Sequence, residues 1–83
     1  MRQMIVNSCL VKSSKLGAKG FLYPVDDSRG MFVKKGVEVE ILNYIAGENY
    51  VGWKAVSIPN SSVENAIIDE GVGVYWIHSK NLS

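Results

Sequence analysis

The sequence contains little of what secreted, membrane-spanning or disulfide-stabilised proteins are built from. Among its 83 residues there is one cysteine, which excludes an intrachain disulfide and favours a reducing compartment. The apolar run at residues 4–6 is too short for a secretory signal. No segment approaches the about 20 apolar residues of a membrane span. We therefore expect a cytoplasmic protein that has no membrane partner.

Residues of catalytic or metal-binding type are also scarce. Cys9 and His78 are the only cysteine and histidine, and together they fall short of the usual ligand set of a zinc site. If the first and last strands are neighbours, a thiolate–imidazole pair is conceivable, but no third residue to orient it is evident. The adjacent Asp26 and Asp27 are typical turn formers without further carboxylates at ligand spacing. We therefore predict no enzyme activity, no metal and no cofactor.

The composition indicates one small globular domain spanning residues 1–83. Hydrophobic residues make up 47% of the chain and charged residues 20%, which excludes a disordered tail. The net charge of +1 hides an asymmetry, because residues 1–35 hold seven basic and two acidic residues, whereas residues 36–83 hold two basic and six acidic. Opposed patches of charge would steer partners, although interleaving of the two halves in a small barrel would disperse them.

The strongest structural signal is a β-hairpin over residues 37–58. Valine and isoleucine alternate with glutamate from Val37 to Ile41, which places apolar side chains on one face of a strand. Gly47 lies in a turn-forming segment, and residues 50–58 are rich in aromatic and β-branched side chains. Pro59 cannot continue the ladder of a central strand, and Gly52 predicts a bulge or bend.

Further short strands are predicted at residues 4–12, 21–25, 31–33 and 72–78, with Pro24 marking a sheet edge. Residues 13–20 are predicted to form a basic loop. Residues 59–71 form either one or two helical turns, which a capping box of Ser61 and Glu64 would start, or an irregular loop. Leu82 is predicted to pack back against the domain. This spacing predicts an all-β fold, a small barrel of five or six strands.

Three segments carry a resemblance to a known family. They are a lysine-glycine turn before a strand, a tryptophan-containing strand and a closing strand, with the sequences VKKGVEVEIL, VGWKAV and VYWIHSKNL. Their order resembles the Src-homology-3-like (SH3-like) barrel in its bacterial variety, best from residue 32 to residue 82. The resemblance implies a binding surface between the first loop and the hairpin loops, lined with aromatic residues, for proline-rich or cell-wall peptides. Fold alone does not establish function.

Exposed aromatic residues beside charged ones are typical of interaction hot spots. The candidates for a partner-binding surface are aromatic or charged residues near the predicted loops: Tyr23, Asp26, Asp27, Arg29, Tyr44, Tyr50, Trp53 and Trp76. Whether the two tryptophans are exposed or belong to the core is left open. We predict a small protein-interaction module, of the kind that bacteria and phages encode, which acts as an adaptor or inhibitor of a partner protein.

The alternative prediction is nucleic-acid binding. The segment KKGVEVEIL is also similar to the KOW module, a barrel that acts in transcription and translation. Basic residues of the first half would contact phosphates, and aromatic residues among them would contact bases. The candidates are Lys12, Lys15, Lys19, Lys34 and Lys35, with Arg29, Phe21, Tyr23 and Phe32 near them. The nearly neutral whole chain is less basic than dedicated nucleic-acid binders.

Overall fold

The chain folds into short β-strands joined by turns. The computed structural model describes residues 1–26 and 29–83. Within these ranges the strands are β1 Arg2–Met4, β2 Cys9–Leu10, β3 Lys12–Leu16, β4 Leu22–Val25, β5 Phe32–Val33, β6 Glu38–Ile41, β7 Trp53–Pro59, β8 Val63–Glu64 and β9 Val72–His78. The helical segments described are 3-10 turns at Glu48–Tyr50, Asn60–Ser62 and Ser79–Asn81. None of these helical segments is long or apolar enough to cross a membrane.

The strands form two antiparallel sheets that enclose one core. The larger sheet has six strands in the order β1-β6-β7-β9-β3-β4, and the smaller has three in the order β2-β5-β8. A bridge between Ile5 and Leu82 brings the end of the chain beside its beginning, as predicted for Leu82. The core draws apolar side chains from both sheets: Ile5, Val11, Met31, Val33, Val39, Val56, Ile58, Val63, Tyr75 and Ile77. The prediction of a small all-β, barrel-like domain is confirmed.

The predicted hairpin is present but shorter than expected. β6 and β7 pair antiparallel, with Glu40 opposite Ser57 and Ile41 opposite Val56. The second strand begins at Trp53 and not at Tyr50, because Gly52 adopts φ +88°, outside the β region. Residues 42–52 therefore form a long connection that contains the turn Glu48–Tyr50.

The beginning of the chain differs most from the prediction. Residues 4–12 are not one strand, because the chain leaves the larger sheet after β1, joins the smaller sheet as β2 and returns as β3. The predicted loop at 13–20 is wrong, since Lys12–Leu16 is a strand that pairs with both β4 and β9. Its polar residues belong to a ladder because two strands flank it, and tertiary pairing overrides their weak strand preference. Pro24 lies in the edge strand β4, as predicted.

A buried asparagine closes the long excursion between β7 and β9. Asn60 accepts a hydrogen bond from the hydroxyl of Tyr75 and donates one through Nδ2 to the carbonyl of Glu70, at 2.7 Å. The predicted capping box does not start an α-helix. A 3-10 turn over Asn60–Ser62 leads directly into β8, which contains Glu64.

Candidate functional site

One end of the larger sheet presents a tryptophan that is held from two sides. Trp53 begins β7, and its cross-strand partner is His78 at the end of β9. The two ring centroids lie 5.7 Å apart with the planes at 74°, an edge-to-face contact. This arrangement aligns the positive edge of one ring with the negative face of the other. Trp53 is half-buried, so part of the indole is available to another molecule.

His78 is positioned by backbone on both sides. Its Nδ1 accepts a hydrogen bond from the backbone N–H of Lys80 at 3.2 Å, which begins the last 3-10 turn. Because Nδ1 accepts, the neutral imidazole carries its proton on Nε2. That nitrogen faces Gly52, where an added Cβ would lie 3.0 Å from Nε2. A residue without a side chain is therefore needed at position 52 to leave the histidine ring where it supports Trp53.

Lys12 supports Trp53 from β3. Its Nζ lies 5.1 Å from the centroid of the Trp53 ring, within the range of a cation–π contact. The same ammonium pairs with the carboxylate of Asp26, directly after β4. The Lys12 side chain is only 23% exposed, whereas the Asp26 side chain is 76% exposed. Asp26 therefore presents its charge outward while Lys12 is confined between a carboxylate and an aromatic ring.

Two concavities meet at Trp53. The first has a volume of about 540 Å³ and is lined by Leu10, Val11, Lys12, Asp26, Gly30, Met31 and Trp53. The second has a volume of about 350 Å³ and is lined by residues 44–47 and 50–54, which include Tyr44, Tyr50 and Trp53. We call them the first groove and the second groove. Their volumes lie within the range of ligand sites, and Trp53 forms the ridge between them.

The structure brings together four of the predicted partner-binding residues. Asp26 and Trp53 line the first groove, while Tyr44, Tyr50 and again Trp53 line the second. Tyr23 lines neither groove and lies on the β3–β4 hairpin, opposite Lys15. Arg29 is exposed. Asp27, which was also predicted, lies outside the described residues.

The prediction that Trp76 binds a partner is wrong. Its side chain is fully buried at the centre of the larger sheet, opposite Ala55 of β7 on one side and Lys12 of β3 on the other. Because the whole indole is buried, none of it is accessible to another molecule. Trp76 is therefore buried on the face of β9 opposite to that of Tyr75 and Ile77, which belong to the core.

Cys9 and His78 lie in different sheets. Cys9 lies in β2 of the smaller sheet, where it packs against the core, and His78 lies in the larger sheet. Burial raises the pKa of the Cys9 thiol, an effect that the positive charge of Lys80 partly offsets. The thiol is therefore protonated at neutral pH, the opposite of an activated nucleophile. Among the residues described, no three His, Cys, Asp or Glu side chains gather where a metal ion would bind.

The lysines predicted to contact nucleic acid are distributed over several elements. Lys12 is in the ion pair of the first groove, and Lys15 is exposed on β3. Lys19 is exposed in the turn between β3 and β4, whereas Lys34 and Lys35 are exposed in the turn after β5. They do not form one stripe along a single element.

Sequence reasoning missed His78, Leu10 and Met31 as parts of this site. His78 was considered only as a catalytic residue or zinc ligand, since nothing local shows that it faces Trp53. The register of the two strands brings them together, because WKA of β7 pairs antiparallel with WIH of β9 and so places Trp53 opposite His78. Comparisons with known proteins find no matching family model, no significantly similar curated protein and no significantly similar solved structure.

Proposed function

We propose that this protein is a non-enzymatic protein-interaction module. More specifically, it binds an extended segment of a partner protein across Trp53, and so acts as an adaptor or as an inhibitor that occupies the partner's surface. The cytoplasm of a bacterium, or of a bacterium infected by a phage, is the setting that we propose. The single cysteine favours such a reducing compartment.

The observation that carries this proposal is the fixed, half-exposed indole between two grooves. Tryptophan is enriched among the residues that dominate interfaces, especially where surrounding contacts exclude water. His78 and Lys12 hold the Trp53 ring in place before any partner arrives. Because the ring is already ordered, binding loses less side-chain entropy than it would at a mobile residue.

The walls of the first groove indicate the chemistry of its ligand. Leu10 is 60% exposed, and Val11 and Met31 line the same concavity, so aliphatic or proline side chains would be covered there. At the rim, the outward carboxylate of Asp26 would attract a basic residue of the ligand. These features favour an extended, proline-containing, basic peptide, which is also the ligand class that the family resemblance implies.

The proposal is tested with an array of proline-containing peptides with and without arginine, followed by titration of the strongest binder. Trp53 is the half-exposed tryptophan and Trp76 is fully buried, so binding is expected to change the fluorescence of Trp53. Trp53→Ala is expected to weaken binding by at least about 30-fold, which is the effect of truncating a hot-spot residue. Asp26→Asn is expected to weaken the binding of arginine-containing peptides more than that of the others.

The matched control is Leu16→Ala, an exposed apolar residue on β3 that lines neither groove. It is expected to bind the same peptides with unchanged affinity. If Trp53→Ala remains folded and binds as tightly as the unmodified protein, the proposal is wrong. It is equally wrong if the array retains no peptide and no fluorescence change is found at millimolar peptide.

A further inference from the structure

The β3–β4 hairpin carries an exposed surface that the two grooves do not use. It consists of β3, a turn at residues 17–20 and β4. Phe21 is 70% exposed and Tyr23 is 40% exposed. Lys15 and Lys19 are exposed on the same hairpin, and residues 12–25 contain no acidic residue. Since Lys12 is paired with Asp26, the positive charge that remains is that of Lys15 and Lys19, beside two aromatic rings.

The pairing register places Lys15, Tyr23 and Phe21 on one face, and Lys19 is exposed in the adjoining turn. Lys15 is the cross-strand partner of Tyr23, so their side chains project side by side. The carbonyl of Phe21 accepts a hydrogen bond from the N–H of Gly17 at 2.8 Å, which continues the ladder one residue beyond β4. The two-residue period of a strand then puts Phe21 on the face of Tyr23, about 7 Å along the chain.

Tyr23 is held in place on the hairpin. A Cβ added at Gly17 would lie 3.3 Å from Cε1 and 3.4 Å from Cδ1 of the tyrosine, so the ring lies against the glycine backbone. This contact covers part of the ring and leaves the remainder to solvent. An aromatic ring supported by backbone from one side is a platform on which a planar group can stack from the other.

From these observations we infer that this hairpin face binds single-stranded nucleic acid. Bases would stack on Tyr23 and Phe21, and phosphates would pair with Lys15 and Lys19. Addition of a protein strand at this edge is disfavoured, because Pro24 lies within β4 and has no N–H to donate. The ligand is therefore expected to contact side chains on the face of the hairpin and not its backbone edge.

Fluorescence anisotropy of labelled oligothymidylate and oligouridylate at low salt tests this inference. Two phosphate contacts predict a slope of about −1.4 for log affinity against log salt. Removing both charges in Lys15→Ala/Lys19→Ala is expected to abolish most of that slope. Phe21→Ala is expected to weaken binding about fivefold or more, the loss of one stacked base.

Matched controls separate the hairpin from general charge and from the grooves. Lys34→Ala removes an exposed lysine of another turn and is expected to leave the affinity within about twofold. Trp53→Ala is expected to retain oligonucleotide binding, which keeps this test independent of the peptide site. Because Phe21 is largely exposed, its variant is expected to fold even if Tyr23→Ala does not.

Several results would overturn the inference. They are no binding of either oligonucleotide at low salt, equal losses from Lys34→Ala and Lys19→Ala, and unchanged affinity in Phe21→Ala. Equal affinity for a duplex would exclude stacking on exposed bases. Equally tight binding of polyglutamate would instead indicate an acidic protein as the partner of this face.

Discussion

The two tryptophans lie on the same face of the same sheet, in neighbouring strands, and have different roles. Trp53 is opposite His78, Trp76 is opposite Ala55, and Trp53 and Ala55 are two residues apart on β7. Trp76 lies in the middle of β9 with a strand on either side, and it is fully buried. Trp53 lies at the first residue of its strand, where the sheet ends and two grooves begin. Position along the strand, and not residue type, decides which indole is available for binding.

Lys12 lies beside both tryptophans. It is the cross-strand partner of Trp76, while its ammonium reaches the face of Trp53 and the carboxylate of Asp26. The indole N–H of Trp76 is buried and has no hydrogen-bond partner within the described ranges. Trp76 therefore acts through packing alone, whereas Trp53 combines an aromatic surface with charge at its rim.

The largest expected difference is in stability. Trp76→Ala is expected to lower the free energy of unfolding by about 3–5 kcal/mol, because it leaves a cavity inside a small domain. Trp53→Ala is expected to lower it by only about 1–2 kcal/mol, because the side chain is half-buried. Chemical denaturation of both variants measures the difference. Equal losses would show that Trp53 is a core residue and would remove the basis of the proposed site.

A smaller effect is expected at the glycine that positions His78. Gly52→Ala forces a side chain into φ +88° and also presses on the imidazole, whereas Gly47→Ala has the same φ and open space around its Cβ. Both variants are expected to lose about 1–3 kcal/mol, because both positions have a positive φ that a residue with a Cβ rarely adopts. Only Gly52→Ala is expected to shift the NMR signals of His78 and Trp53.

This pair of variants isolates the support of Trp53 from backbone strain. Peptide affinity is expected to fall in Gly52→Ala and to fall less in Gly47→Ala, although Gly47 also lines the second groove. Unchanged ring signals in Gly52→Ala would mean that the imidazole yields without disturbing Trp53. The edge-to-face contact would then not be what positions the indole.

The smallest effect is the loss of stability expected at alkaline pH. It arises from groups in and beside the core and not from Trp53. Burial raises the pKa of Cys9 above its ordinary 9.0 and that of Tyr75 above its ordinary 10.0. Above these ordinary values the unfolded chain loses protons that the folded chain retains. The free energy of unfolding is therefore expected to be unaffected below about pH 8 and to fall as the pH rises further.

Denaturation at a series of pH values measures this loss, and Cys9→Ala is the variant that tests its origin. In this variant the free energy of unfolding is expected to decline less steeply with pH, because only Tyr75 of these two groups still contributes. An identical decline in Cys9→Ala would contradict the assignment to the thiol. Peptide binding at Trp53 should not follow the same pH profile.

Whether a residue of the site could be predicted from the sequence depends on how far apart along the chain the contacting residues lie. Trp53, Tyr44 and Tyr50 were identifiable as candidates because aromatic residues near turns are local features. Trp76 had the same local signature, and only its complete burial in the folded domain excludes it. His78 belongs to the site because it pairs with Trp53, 25 residues away in the chain, and no local pattern reveals that pairing.

The amino-acid pattern by itself determined that this chain forms an all-β domain, where its main hairpin and edge strand lie, and that its charges are unevenly distributed. These properties follow from short-range periodicity and turn chemistry, which act over a few residues. Only the tertiary structure decided which tryptophan is buried, that the polar segment Lys12–Leu16 is a strand, and that Lys12, Asp26 and His78 gather around Trp53. Those outcomes depend on pairing between distant strands, because burial and register are set by the neighbours that folding supplies.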